Sequence, residues 1–327
     1  MTGRRVAVIG YASAELLDIA CVTTTLEMAN RLGSLARPYD VLLAAPGGGP
    51  IVCGTGLVLH SQHSIERLVG PLDTLIVSGG VGFEQAAADP RLVGHVRRLA
   101  RESRRVASVC TGAALLAAAG LLDGHRATTH WRFASRLAAR HPEVTVDASP
   151  IYIRDGDVST AAGITSALDL TLAFIEEDHG AELARQVARD LVTYLQRPGN
   201  QAQMSMFTAT MSPPSDHVVR RLVEHIAAHP AGDLSTTALA ALAGVTPRHL
   251  TRLFLEHLGR TPGRFVRQAR TEAAAQLLVS TGLPLASVAA KCGFGSAETL
   301  RQAFTGRYGI PPSRYRDAHT RRPSHRP

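Results

Sequence analysis

The stretch VASVCTGAALLAAAGLLDG, residues 106–124, decides how the first two thirds of this chain folds. It opens with a short apolar run that stops on Cys110, turns through Thr111-Gly112, and continues as a segment rich in Ala and Leu. The run before Cys110 has the length of a buried strand, and Ala and Leu are strong helix formers. A thiol at the junction of strand and helix is how many hydrolases present a nucleophile. Cys110 therefore either does chemistry or belongs to a sensor built on the same turn.

Similar apolar runs lie upstream. RVAVIGY (5–11) and YDVLLAAP (39–46) bracket a helical stretch expected from Ala14 to Leu32. DTLIVSGG (73–80) is a further buried strand, ending on Gly79-Gly80 where the backbone must turn sharply. DPRLVGHVRRLARE (89–102) carries Pro just inside its start and apolar residues at Leu92, Val93, Val96 and Leu99, a helix signature. RVASVC (105–110) is the next strand. Continuous apolar strands separated by helices predict a parallel sheet covered on both faces, with sites at the carboxyl ends of the strands. The Tyr11–Ala14 loop, Gly79-Gly80 and Cys110 all fall at such ends.

Downstream come ATTHW, a helix through His141, and IYIRDGDVST, whose Asp155-Gly156 signals a hairpin. Two more helices are expected, at roughly Thr165–Asp178 and Ala181–Leu195. QRPGNQAQMSMFTATMSPPSD (196–216) has no periodicity and reads as an interdomain linker.

At 327 residues, 45% hydrophobic and 19% charged, the chain suits two globular domains. No apolar run approaches the roughly 20 residues of a membrane helix, and no early apolar segment suggests a leader. Cys21, Cys53, Cys110 and Cys292 show no CxxC and no paired Cys/His spacing. No metal and no cofactor is called for, and a reducing cytoplasm is the expected location. Cys21 and Cys53 read as small buried hydrophobes.

The charge is uneven. Residues 215–327 hold 16 Arg/Lys against 7 Asp/Glu, a net of +9, while residues 1–214 hold 19 against 20. A basic excess confined to helical sequence is the footprint of a nucleic-acid binder, although a solvated basic face would give the same count. Within this region, LSTTALAALAGVTPRHLTRLFLEHLG and LPLASVAAKCGFGSAETLRQAFTGRYG repeat one plan: a small-residue helix, a break at Gly244 or Gly293, and a second helix bearing Arg. TPGRFVRQARTEAAAQLLVS (261–280) reads as the helix joining them.

On these residues, closed by YGIPPSRYR, positions 217–318 resemble the DNA-binding domain of the AraC/XylS family of transcription regulators. The resemblance implies two helix-turn-helix units whose second helices enter the major groove. On the first, about Pro247–His257, Arg248, Thr251 and Arg252 would face DNA, with His249 a weaker candidate. On the second, about Ser296–Tyr308, Glu298, Thr299, Arg301 and Gln302 would do so. Arg can grip guanine, Gln can read adenine and Glu can accept from cytosine; phosphate contact or plain solvation is the alternative for each. Leu250, Leu253, Phe254, Leu300 and Phe304 are expected in the core. HTRRPSHRP (319–327) reads as a basic tail.

Residues 4–195 resemble the ThiJ/PfpI branch of the class I glutamine-amidotransferase-like superfamily, through AELLDIA, SGG, SVCTGAALLAAAGLLDG, ATTHW and the DG hairpin with TAAG. The implied fold is a flavodoxin-like α/β sheet, here a domain over 1–195, and the fusion looks like the GlxA-type regulators. The resemblance places Asp18 where family members keep a carboxylate beside the cysteine, and His130 where many keep a histidine. Asp18 equally suits a helix cap, and His130 beside Trp131 equally suits packing. The helix terminus is expected to favour the Cys110 thiolate, with N–H groups of Thr111 and Gly79-Gly80 as an oxyanion site. No residue stands out to orient His130.

The expectation is a cytoplasmic, homodimeric transcription regulator that binds double-stranded promoter DNA and senses a small effector, for instance a nitrogenous metabolite. Sensing rather than turnover is expected of the pocket. The rivals are a cysteine-dependent hydrolase, amidase or hydratase, and a thiol-based oxidant sensor.

Overall fold

In the computed structural model, which describes residues 3–193, 197, 199, 203 and 216–320, the apolar runs lie side by side in one seven-stranded sheet. From one edge its strands are Tyr152–Asp155, Val158–Ala161, Ser103–Val109, Leu72–Val77, Arg4–Ile9, Tyr39–Ala45 and His63–Ser64. Every neighbouring pair is parallel except the outer hairpin. The chain moves outward from Arg4–Ile9 in one direction, then returns and builds in the other. Right-handed crossovers therefore put helix Leu16–Leu32 and helices Pro90–Arg101 and Ala113–Ala118 on opposite faces. This is the flavodoxin-like doubly wound arrangement, and its order reverses between Arg4–Ile9 and Leu72–Val77. The strands are almost wholly buried, from Val6 to Ile9 and from Val106 to Val109.

Several boundaries differ from expectation for local reasons. The first helix begins at Leu16, not Ala14, because Glu15 caps it: the Leu17 N–H donates to Glu15 Oε1 at 3.3 Å. Ala14 instead forms an antiparallel bridge with Gly80. The hairpin pairs Asp155 with Val158, so its turn is Gly156-Asp157, one residue later than expected, with Gly156 at φ 65°. The helix from Ala181 ends at Asp190, short of Leu195. Cys53 is buried, whereas Cys21 is only partly so.

The chain divides into two units, Met1–Gln203 and Met204–Pro327. The first thus outruns the expected boundary at 195. Arg197 donates to buried Asp169 through its N–H at 2.7 Å and its Nη2 at 2.7 Å, and a buried carboxylate requires such a partner. Gln203 is held as firmly, by bonds given below. Most of the expected linker 196–216 otherwise lies outside the described residues.

The second unit, in its described residues, is helical: His217–Ala228, Thr236–Ala243, Pro247–Leu258, Pro262–Ser280, Leu285–Lys291, Ala297–Tyr308 and Pro312–Thr320. Its starts are written in the sequence. Ser235, Thr246, Thr261 and Ser296 accept from backbone N–H groups at the first turns, and Pro247 and Pro262 sit where a helix has no N–H to lose. Two separate apolar cores result. One gathers Leu222, Ile226, Leu239, Leu250, Phe254 and Phe265, and the other Leu278, Val288, Leu300, Phe304, Tyr308 and Tyr315. The last helix takes in residues 319 and 320 of the expected tail, and 321–327 lie outside the described residues.

Candidate functional site

Three carboxyl strand ends converge on Cys110. The turn after Val109 is tight: Cys110 has φ 53°, a left-handed conformation that costs a non-glycine residue roughly 1–2 kcal/mol. Gly112 allows it, since a Cβ there would lie 2.4 Å from the Val77 carbonyl oxygen. Gly80, at φ 143°, lets the neighbouring turn approach equally closely, because a Cβ would meet Ser13 O at 2.3 Å.

Asp18, in the first turn of helix Leu16–Leu32, is buried beside this turn. Its Oδ2 accepts from the Gly79 N–H at 2.9 Å, and its Oδ1 is buried with no partner among the described residues. Glu15, not Asp18, caps the helix. A Cβ built on Gly79 would lie 2.6 Å from Cys110 Cβ and 2.8 Å from Asp18 Oδ2, so the glycine separates thiol from carboxyl by its own width. Thr111 Oγ1 accepts from the Gly80 N–H at 2.9 Å and donates to Gly80 O at 3.0 Å. Thr129 Oγ1 donates to Cys110 O at 2.8 Å. Tyr11, which the sequence reading placed only in a strand-end loop, donates from its hydroxyl to Ser78 O at 3.0 Å.

Desolvation dominates the electrostatics. Burial raises the Asp18 carboxyl to about 7, opposed by the Gly79 bond and reinforced by the charge of Glu15. Burial and then Asp18 push the Cys110 thiol up to about 12, with hydrogen bonding from Thr111 offsetting part. Tyr11 is raised by burial, Asp18 and Cys110. Burial thus works against the expected thiolate, and helix Ala113–Ala118, which would favour it, is short. Of the expected oxyanion donors, the Gly79 N–H is taken by Asp18 and the Gly80 N–H by Thr111 Oγ1, while the Thr111 N–H lies beside the Cys110 sulfur.

His130 caps helix Trp131–Arg140, with Nδ1 accepting from the Arg132 N–H at 3.3 Å. Its ring stacks on Trp131 at 5.6 Å and lies 5.8 Å from Phe133. Burial and then Arg132 lower its pKa. Among the described residues it makes no hydrogen bond to Cys110, and the contacts it does make are those of a packed helix cap. Beyond Thr111 and Thr129 opens a small pocket with Phe83, Ala114, Phe133 and Leu137 inside and Glu84, Arg136, Arg140 and His141 at its rim.

In the second unit, Arg248, Arg252, Glu298, Thr299, Arg301 and Gln302 are exposed, while Leu250, Leu253, Phe254, Leu300 and Phe304 of the same helices are buried. Thr251 differs: it is half-buried and its hydroxyl donates to Pro247 O at 2.9 Å. Glu298 pairs with Arg301 and accepts from Gln302 at 3.4 Å, so this trio neutralises itself on the helix surface. Arg248 and Arg252 have no ion pair among the described residues. Leu255, half exposed beside them, was not singled out by its sequence.

Residues 4–177 match the DJ-1/PfpI family and residues 239–318 a helix-turn-helix domain family. The chain is 33% identical to the HTH-type transcriptional regulator CdhR of Pseudomonas aeruginosa, over 95% of this chain and 88% of that protein. It is 31% identical to the HTH-type transcriptional regulator GlxA of Rhizobium meliloti, over 96% and 95%. It is also 36% identical to an isonitrile hydratase of Pseudomonas putida, over 48% of this chain and 71% of that enzyme. A ThiJ/PfpI family protein from Pseudomonas syringae shares the fold, with a TM-score of 0.55 at 24% identity, covering 75% and 92% of the two chains. An α/β unit with a buried thiol at its strand ends, joined in one chain to paired helix-turn-helix units, defines a two-part transcription regulator. The chain belongs to the DJ-1/PfpI family and, within it, to the HTH-type transcriptional regulators typified by GlxA.

Proposed function

We propose that the protein acts in the cytoplasm as a homodimer, binds double-stranded promoter DNA through helices Pro247–Leu258 and Ala297–Tyr308, and is controlled by a small effector held near Cys110. The observation that carries this reading is the division of labour on those two helices. Apolar positions are spent on the core, while Arg248, Arg252, Glu298, Thr299, Arg301 and Gln302 face outward, with Thr251 beside them. Arg side chains so presented suit guanine edges and phosphates. Sequencing of genomic fragments retained by the protein tests it: enrichment of discrete promoter sites is expected, and uniform retention of all fragments opposes the reading.

The pocket beyond Thr111 supports a small effector with an apolar body. Its rim carries both signs of charge, Glu84 paired with Arg136 and near Arg140, and a zwitterion such as an amino acid or a quaternary-amine acid would bind by exchanging its own charges for that pair. Control runs through Gln203, at the exit of the α/β unit. Its Nε2 donates to Thr129 O at 2.8 Å and Thr128 Oγ1 at 3.1 Å, and its Oε1 accepts from the Trp131 N–H at 2.9 Å. Thr129 in turn holds the Cys110 carbonyl. An effector shifts DNA occupancy only by its preference for one arrangement, typically about 1–3 kcal/mol.

The hydratase relative favours a second reading, cysteine-dependent hydration or hydrolysis. Against it stand the protonated thiol, the occupied Gly79 and Gly80 N–H groups, and His130 in a capping role. Turnover that Cys110→Ala abolishes while DNA binding persists would establish it.

A further inference from the structure

Helix Pro262–Ser280 belongs to both halves of the helical unit. Phe265, Val266 and Ala269 enter the first core, and Ala274, Ala275 and Leu278 the second. Apolar packing alone would join the halves through one helix. Two sets of polar contacts add to it, on opposite sides of that helix.

Gln268 and Glu272, one turn apart, share a face. Arg260 lies just past the end of helix Pro247–Leu258 and donates from Nη1 to Gln268 Oε1 at 2.7 Å and from Nε to Leu258 O at 3.1 Å. Gln268 Nε2 donates to Glu272 Oε1 at 3.3 Å. Arg307, in the last turn of helix Ala297–Tyr308, donates from Nη2 to the same Glu272 oxygen at 3.2 Å. The carboxyl ends of both DNA-facing helices are thereby tied to one helix face, on a chain of four side chains.

Arg270 lies two residues from Gln268, roughly 200° around the helix. Its Nε donates to Pro230 O at 2.9 Å and its Nη2 to Gly232 O at 2.8 Å, both in the loop before Thr236–Ala243 of the first half. Gly293, the turn glycine of the second half, closes over it. A Cβ there would meet Pro230 O at 2.5 Å and Arg270 Cζ at 2.8 Å, so the two halves touch directly with Arg270 between them. Partly exposed polar bonds of this kind contribute modestly to stability but have strict geometry.

We propose that Glu272 and Arg270 are positioning residues that fix the distance and phase between the two DNA-facing helices. The protein then reads a two-element site with one permitted spacing, a property that rests on the two-helix reading above. One base pair of extra spacing displaces the second element by about 3.4 Å and about 35°, which a braced pair of helices cannot follow.

The test uses the full-length protein. A two-element motif is selected from random duplex DNA, then rebuilt with its spacer lengthened or shortened by one base pair. Wild type is expected to lose about tenfold in affinity at either changed spacing. Glu272→Gln, which keeps shape but removes the negative charge that faces Arg307, and Arg270→Met are expected to lose only a few-fold at the best spacing. Their penalty for a changed spacing should shrink below about threefold, with binding to each isolated element unaltered. Thermal unfolding checks each variant, and Glu272→Gln stands alone if Arg270→Met fails to fold. Variants that keep the tenfold penalty, or lose binding to isolated elements as well, overturn the proposal. A selected motif with one element only overturns the two-helix reading itself.

Discussion

The Gly79 N–H donates to Asp18 Oδ2 at 2.9 Å, tying a central strand end to the first helix, while Asp18 Oδ1 stays buried with no partner among the described residues. The cost of that burial is read in the carboxyl, raised to about 7 from an ordinary value of 3.8. The folded state thus holds its proton more tightly than the unfolded state. The resulting stability is fully present below about pH 3.8 and is lost as pH rises through about 7. Asp18→Asn keeps an acceptor for Gly79 and carries no charge. It should match wild type at pH 4 and exceed it at pH 8, by at most about 4 kcal/mol in urea unfolding. Parallel pH profiles for the two proteins would refute the account.

The Cys110 thiol, at about 12, is almost entirely protonated at neutral pH. Alkylation and mild peroxide oxidation of Cys110 should therefore be slow in the native protein and fast after unfolding, as followed by mass spectrometry. Rapid sulfenic acid formation in the folded protein would restore the oxidant-sensor reading.

Among the described residues Arg252 is exposed without an ion pair, whereas Arg301 is engaged by Glu298. Arg252→Ala and Arg301→Ala should each weaken binding to a selected site by about 1–3 kcal/mol where the side chain reads a base. A purely phosphate-bound arginine would instead weaken all duplexes alike and flatten the salt dependence of titrations. Both variants should retain the wild-type unfolding temperature, because neither side chain enters a core.

At the amino ends of the strands, Asp178 accepts from Arg104 Nη2 at 2.8 Å, from the Tyr39 hydroxyl at 3.0 Å and from Arg105, whose guanidinium carbon lies 4.1 Å from the centre of the Phe174 ring. Asp178→Ala removes one carboxylate shared by two arginines but leaves Arg104 its bonds to Asp73 and buried Arg105 its bond to Thr74 Oγ1, and should cost about 1–3 kcal/mol in denaturant unfolding. Asp73 shares Arg104 and Arg4. Burial would raise its carboxyl, yet their hydrogen bonds outweigh that and hold it at about 2. Its contribution is complete above about pH 3.8 and lost as pH falls through about 2, so acid unfolding of wild type should steepen in that window.

The parts legible in the sequence were those with local causes. Apolar runs gave the strands, and a proline just inside its start marked the helix Pro90–Arg101. The internal repeat gave the paired helix-turn-helix plan. What escaped depends on partners far along the chain. Arg197 and Gln203 sit in a stretch with the composition of a linker, and only Asp169 and Thr129 reveal that they are anchored. The setting of the thiol was half legible for the same reason: position beside a helix is visible in sequence, whereas the depth of burial that raises its pKa is not. Tyr11 carried no signal beyond its place at a strand end.

The helical unit keeps two apolar cores on a single shared helix. Exchanging an outward-facing side chain on either half leaves the packing of its counterpart untouched. If both halves read DNA as proposed, they are free to change the letters they read one at a time, each without renegotiating the other's fold, while the gap between the words would stay under the control of a few polar side chains at the seam.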